Sequence, residues 1–211
     1  MSAFEAIIKR GISDSIPRKL IINREEISFE NKNRINETFT TFFKEEISEY
    51  RFGISWMQYH ITFGREYIIE IKNFKGEILK INFKSYFGRN VKSLHQNYLD
   101  ILENLWEYHF SEMVSSYLNL FSAGIEFSIG NVVFTYVGII IKIDRTVWQK
   151  EIFIPWECVR TNSYATYFAI YSKENPSDIN SIHNYFEDWN TDVLFSVIRT
   201  ILRNKNIESY N

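Results

Sequence analysis

Apolar and polar positions alternate through EYIIEIK (residues 66–72), where Tyr67, Ile69 and Ile71 fall on one face. Leu79, Ile81 and Phe83 do the same against Lys80, Asn82 and Lys84. A period of two is that of a half-buried strand, and the turn residues at 73–76 between the two runs predict a hairpin. The period then lengthens to three-to-four at Leu94, Tyr98, Ile101, Leu102 and Leu105. This is the stripe of an amphipathic helix, which Asn90 opens as its N-cap. The stripe continues through Trp106, His109, Phe110, Met113, Val114, Tyr117, Leu120 and Phe121. No Pro or Gly interrupts residues 90–121, so a single long helix is predicted, capped by Gly124, with a break near Tyr108 as the alternative.

The same order returns one hundred residues later. Tyr167, Ala169 and Tyr171 take the places of Tyr67, Ile69 and Ile71, and a turn at 175–178 precedes INSIHNY (179–185). Asn190 then caps a helix striped by Val193, Leu194, Val197, Ile198, Ile201 and Leu202. Laid without a gap on residues 150–204, residues 50–104 match Ile54 with Ile154, Trp56 with Trp156, Tyr67 with Tyr167 and Asn90 with Asn190. Trp56, Trp156, Tyr67 and Tyr167 are accordingly assigned to two cores at equivalent places, each tryptophan filling its core at a strand end. Upstream, NVVFTYVGIIIKI (131–143) and KLIINREEISFEN (19–31) read as matching hairpins. The first copy then carries about twelve extra residues, placed in the polar run NKNRINE (31–37).

Composition agrees with this picture. A chain of 211 residues with 45% hydrophobic and 17% aromatic content suffices for two packed domains. A net charge of −2 gives no reason to expect a nucleic-acid binder, and membrane contact is at most peripheral. Cys158 alone permits neither an internal disulfide nor a cysteine-based metal site and reads as a small buried strand residue. The first fourteen residues lack the pattern of a signal peptide, so Asn36 in Asn-Glu-Thr is expected to be a chance sequon and the protein cytoplasmic.

Strands closed by a C-terminal amphipathic helix, together with FSAGIEFSIGNVVFTYVGIIIKI (121–143), IFIPWECV (152–159) and NTDVLFSVIRTIL (190–202), resemble tandem pleckstrin-homology-like proteins. The resemblance covers residues 19–204. It implies an α+β chain of two such domains, each an antiparallel sandwich or partly open barrel closed by a helix. The expected first domain is 1–108 and the second 124–211. Residues 109–123 form a linker helix continuous with 90–108.

Candidate chemistry is sparse. His60, His95, His109 and His183 are scattered, with His109 and Glu112 one turn apart but without further ligands. Glu45, Glu46 and Glu49, and Glu187 with Asp188, have the look of solvated acidic surface. No nucleophile, phosphate-loop or dinucleotide motif occurs, so neither an enzyme nor a cofactor is expected. Relatives of the resembled type often bind inositol phosphates through basic residues of the first hairpin. Residues 129–140 have no basic residue, and Arg24 is followed by Glu25 and Glu26. A basic set remains in Lys80, Lys84, Arg89 and Lys92, the last two flanking a helix start that favours anions. The leading expectation is a non-catalytic scaffold that binds an unknown protein or peptide, a segment adding as a strand beside the helix. Alternatives are an anion, lipid-headgroup or membrane-surface binder through that basic set, and an intracellular inhibitor or immunity-type protein.

Overall fold

The computed structural model describes residues 3–12, 14–31, 39–58, 60–145 and 148–208. The chain is α+β, with four small antiparallel sheets, a long helical run and a C-terminal helix. It divides into two compact units, Met1–Ser111 and Glu112–Asn211.

In the first unit β1 (Phe4–Ile8), β2 (Arg18–Ile22), β3 (Glu26–Phe29) and β4 (Thr40–Phe43) form a four-stranded antiparallel sheet in chain order. A 3₁₀ turn (Lys44–Glu46) leads into β5 (Ile47–Gln58), β6 (Thr62–Asn73) and β7 (Ile78–Tyr86), a three-stranded sheet. Helix α1 (Val91–Leu105) follows. The predicted alternation governs burial: Tyr67, Ile69 and Ile71 of β6 and Leu79, Ile81 and Phe83 of β7 are buried. Tyr98, Ile101 and Leu105 bring the buried stripe of α1 to the same core, with the Tyr98 ring 5.3 Å from that of Tyr67. Each large apolar side chain so buried contributes about 1.5–3 kcal/mol.

The second unit has α2 (Ser111–Ser122), then β8 (Phe127–Ile129), β9 (Val132–Phe134), β10 (Gly138–Arg145) and β11 (Trp148–Pro155) in one sheet. A 3₁₀ turn (Trp156–Cys158) precedes β12 (Val159–Ser163), β13 (Tyr167–Ser172) and β14 (Asn180–Asn184), and α3 (Thr191–Asn204) ends the unit. Six apolar residues of α3, Val193, Leu194, Val197, Ile198, Ile201 and Leu202, are buried as the helical period requires.

The two units share this order of elements, and their hydrogen bonds show how far the likeness goes. Ile22 faces Ile27 as Phe134 faces Ile139, and Ile27 faces Phe42 as Ile139 faces Ile154. Lys44 N–H donates to Glu25 O (2.8 Å) as Trp156 N–H donates to Val137 O (3.2 Å). All these pairs are 112 residues apart. Beyond them Phe74 N–H donates to Glu46 O as Lys173 N–H does to Cys158 O, an offset of 99 at the donor. The change falls inside one hairpin: Ile47 faces Asn73, whereas Val159 faces Ser172, so the span 47–73 exceeds 159–172 by 13 residues.

Three expectations are corrected by these registers. The additional length of the first copy is not at 31–37, because the 112 offset holds both before that run (Phe29 and Ile141) and after it (Phe42 and Ile154); residues 32–37 themselves lie outside the described residues. Trp56 is not a core residue and is not equivalent to Trp156, for it lies in the extension of β5 and is 54% exposed. Tyr167 is only half-buried; Phe168 and Ile170 point inward in its stead, a shift of one residue that exchanges the faces of a strand.

Asn90 and Asn190 do occupy one backbone position, with φ of 54° and 58°. Each accepts the first helical hydrogen bond on its carbonyl, from Leu94 N and Leu194 N at 2.9 Å. Neither side chain makes the capping hydrogen bond expected of it. Asparagine is used here for its tolerance of left-handed φ rather than as a side-chain cap. The helical run predicted over 90–121 is interrupted by a π-helical turn at Trp106–Phe110, around the alternative break position.

Candidate functional site

The extension that distinguishes the first unit is its most unusual surface. Along β5 and β6 the core face runs outward from Tyr67 and Ile54 to Arg65 and Trp56, which stand directly opposite each other in the ladder. The Arg65 guanidinium lies 4.3 Å from the Trp56 ring, a stacked cation–π pair. Phe63 lies where the ladder of β5 and β6 shifts register, and Ile61 in the connecting turn is exposed. Residues 52–65 contain no Asp or Glu. Among the described residues Phe52–Gln58 of β5 ladder with β6 alone, so the outer edge of this stretch is open.

Phe87 adds a second aromatic beside this ledge. Its ring is 73% exposed and 6.4 Å from that of Phe63, and its φ of 50° is left-handed. That conformation costs a non-glycine residue about 1–2 kcal/mol. A 2.7 Å hydrogen bond from Phe87 N to Phe63 O holds it. An aromatic ring presented to solvent on strained backbone is where function is sought.

The predicted basic set is divided. Lys80 and Lys84 do share the outward face of β7, but each meets a carboxylate across the ladder: Lys80 with Glu70 at 3.1 Å and Lys84 with Glu66 at 3.4 Å. Glu70 also accepts from Arg51 at 2.8 Å, Glu66 accepts from Asn82 at 2.7 Å, and Lys72 pairs with Glu49. Burial raises the Glu70 carboxyl, yet the hydrogen bonds and charges of Arg51 and Lys80 outweigh it and bring its pKa below the ordinary value. This face is a neutralised lattice rather than an anion site. Arg89 and Lys92 are exposed in the turn that carries Phe87 and in the first turn of α1, with no ion pair among the described residues.

Two arginines meet elsewhere in this unit. The Arg18 side chain is 1% exposed and donates to both Asp14 oxygens (3.2 and 3.1 Å) and to Glu30 O. Arg10 reaches the same carboxylate at 3.7 Å, and its buried Nε has no partner among the described residues. Burial first, and then repulsion from Arg18, lowers the Arg10 pKa. Both guanidiniums thus reach the Asp14 carboxylate. KRGISDSIPR (9–18) contained that signal, two arginines around one aspartate, but not the burial of Arg18.

The remaining candidates are used by the fold. His183 is buried against Phe168, ring centroids 5.1 Å apart, and burial pushes its pKa down to about 4 despite the nearby Asp188 carboxylate. Cys158 is buried and its thiol donates to Glu174 Oε1 at 3.3 Å; burial and then that carboxylate raise its pKa, which opposes a nucleophilic thiolate. Glu46 accepts from Phe43 N, and Asp188 from Asn184 N, each bracing its own turn. No group of three or more potential metal ligands occurs among the described residues, and no helix among them is long and apolar enough to cross a membrane. In the second unit a polar cleft of about 320 Å³ lies between β10 and β14, where Lys142 already pairs with Glu151 at 3.6 Å.

Compared with protein-family models, with curated proteins and with solved structures, the chain matches none.

Proposed function

We propose that the chain is a non-catalytic binding protein built from two pleckstrin-homology-like domains in tandem. In this reading its first domain takes an extended segment of a partner protein along β5. The shared order of a four-stranded sheet, a three-stranded sheet and a helix supports the tandem reading. The observation that carries the binding reading is the outer edge of β5 over Phe52–Gln58, in a strand lengthened relative to β12 and bearing Trp56 stacked on Arg65. An added strand pairs with the backbone groups of that stretch, and the side chains alternating along it select those of the segment. Because residues 52–65 are free of acids and Arg65, Arg89 and Lys92 lie on the same unit, the fitting segment alternates acidic and apolar residues.

The test is selection from a random peptide-display library on the full chain, followed by titration calorimetry with Trp56→Ala/Arg65→Glu. Acidic, apolar peptides are expected to be enriched and to lose at least about tenfold in affinity to the double variant, with little change in its melting temperature. Enrichment of basic peptides, or equal binding by both chains, removes the reading.

A second reading, anion binding, is favoured by Arg10 and Arg18 around Asp14 rather than by the lysines of β7. At constant ionic strength, exchanging chloride for phosphate is expected to raise the melting temperature of wild type more than that of Arg10→Gln. General salting effects act on both chains alike, so equal shifts eliminate this site.

A further inference from the structure

Lys205 stands at the C-terminal end of α3, where its N–H closes the last turn on Ile201 O at 3.0 Å. Its ammonium nitrogen lies 5.6 Å from the ring centroid of Phe121, 5.7 Å from that of Tyr136 and 5.9 Å from that of Trp156. Phe121 and Trp156 meet at 82° with centroids 5.5 Å apart, forming two walls of a corner. Trp156 is 3% exposed and fixed by its Nε1–H, which donates to Thr135 O at 3.1 Å. Tyr136, at the tip of the β9–β10 hairpin, is 70% exposed and forms the outer wall. Lys205 has no ion pair among the described residues; its charge faces three rings on one side and solvent on the other.

The dimensions of this corner leave more room than a bare ammonium fills. Contact between carbon atoms is best at about 3.5–4.0 Å, and a C–N bond is about 1.45 Å long. A nitrogen 5.6–5.9 Å from each centroid therefore leaves room for a methyl group between itself and each ring. Ring faces also favour a weakly hydrated cation over a strongly hydrated primary ammonium.

We infer that Phe121, Tyr136 and Trp156 form a recognition site for a methylated ammonium group, which Lys205 of the same chain occupies and guards. The ligand is a quaternary or dimethylated nitrogen, carried either by a small molecule of the choline type or by a methylated lysine side chain. It enters past Tyr136 as Lys205 withdraws into solvent.

The test titrates tetramethylammonium into the full-length wild type, Lys205→Ser and Lys205→Ser/Tyr136→Ala, read by tryptophan fluorescence and by NMR. Removing the resident lysine is expected to tighten binding about tenfold, and removing Tyr136 as well to abolish that gain. Sodium at equal concentration controls for ionic strength. Equal affinities for wild type and Lys205→Ser overturn the proposal. Should Lys205→Ser fail to fold, the ε-methylene protons of Lys205 in the wild type decide: a marked upfield ring-current shift supports the cage, and ordinary lysine shifts overturn it. Choline and a trimethyllysine peptide, tested on Lys205→Ser, separate the two sources, and binding of neither overturns the site.

Discussion

Trp156→Ala is expected to destabilise the second unit by about 3–5 kcal/mol, the usual cost of emptying a buried aromatic site. The ring is packed edge-on to Phe121 and lies 6.1 Å from Phe134, and its loss also strips the Thr135 carbonyl of a donor. Trp56→Ala is expected to change stability by about 0.5 kcal/mol or less, because its ring is exposed and, among the described residues, stacks on Arg65. The contrast is the informative quantity. Denaturant unfolding of the two variants, followed by circular dichroism, reads it directly. Similar losses in both would return Trp56 to a core role, and small losses in both would deprive Trp156 of one.

His183 is expected to make stability fall between pH 6.5 and about 4. Its folded pKa of about 4 lies below the ordinary 6.5, so the unfolded chain takes up the proton first. The neutral folded form is therefore fully favoured above pH 6.5, and the advantage is lost as pH falls through the interval towards 4. The whole difference corresponds to about 3 kcal/mol. Its Nε2 is buried without a partner among the described residues, so protonation there has no compensating acceptor. His183→Phe keeps a ring against Phe168 and removes the titration. Melting temperatures at pH 7 and pH 4.5 are expected to differ less in the variant than in wild type; an equal difference assigns the acid sensitivity to carboxylates such as Glu70.

The α+β class, the β6–β7 hairpin and all three helical stripes were legible in the alternation of residues, because burial on one face leaves a period in the letters. Register was not. Trp56 and Trp156 coincide at an offset of one hundred, yet the hydrogen bonds align Trp156 with Lys44, a residue of wholly different chemistry. A shared side chain reports what surrounds it only if the strand has not been lengthened upstream. Asn90 and Asn190 were found at the right places for a different reason, since asparagine favours both side-chain capping and left-handed φ. The lysines of β7 were correctly read as outward-facing, but their partners Glu66 and Glu70 sit on the neighbouring strand, 18 and 10 residues upstream. The Arg18 site draws on Glu30, and the Lys205 corner on residues as distant as Phe121. Such gatherings follow from topology, which local periodicity does not encode.

The hairpin of β5 and β6 lengthens from a point where its two strands are already paired. Each further pair of residues therefore brings its own ladder bonds, and the entropy of closing the turn rises only with the logarithm of its length. Its contacts are short-range along the chain and do not burden the search for the native topology. A projection of this kind can grow or shrink during descent while the body beneath it keeps its packing, which makes it a natural place for one lineage to acquire a new specificity without rebuilding its core.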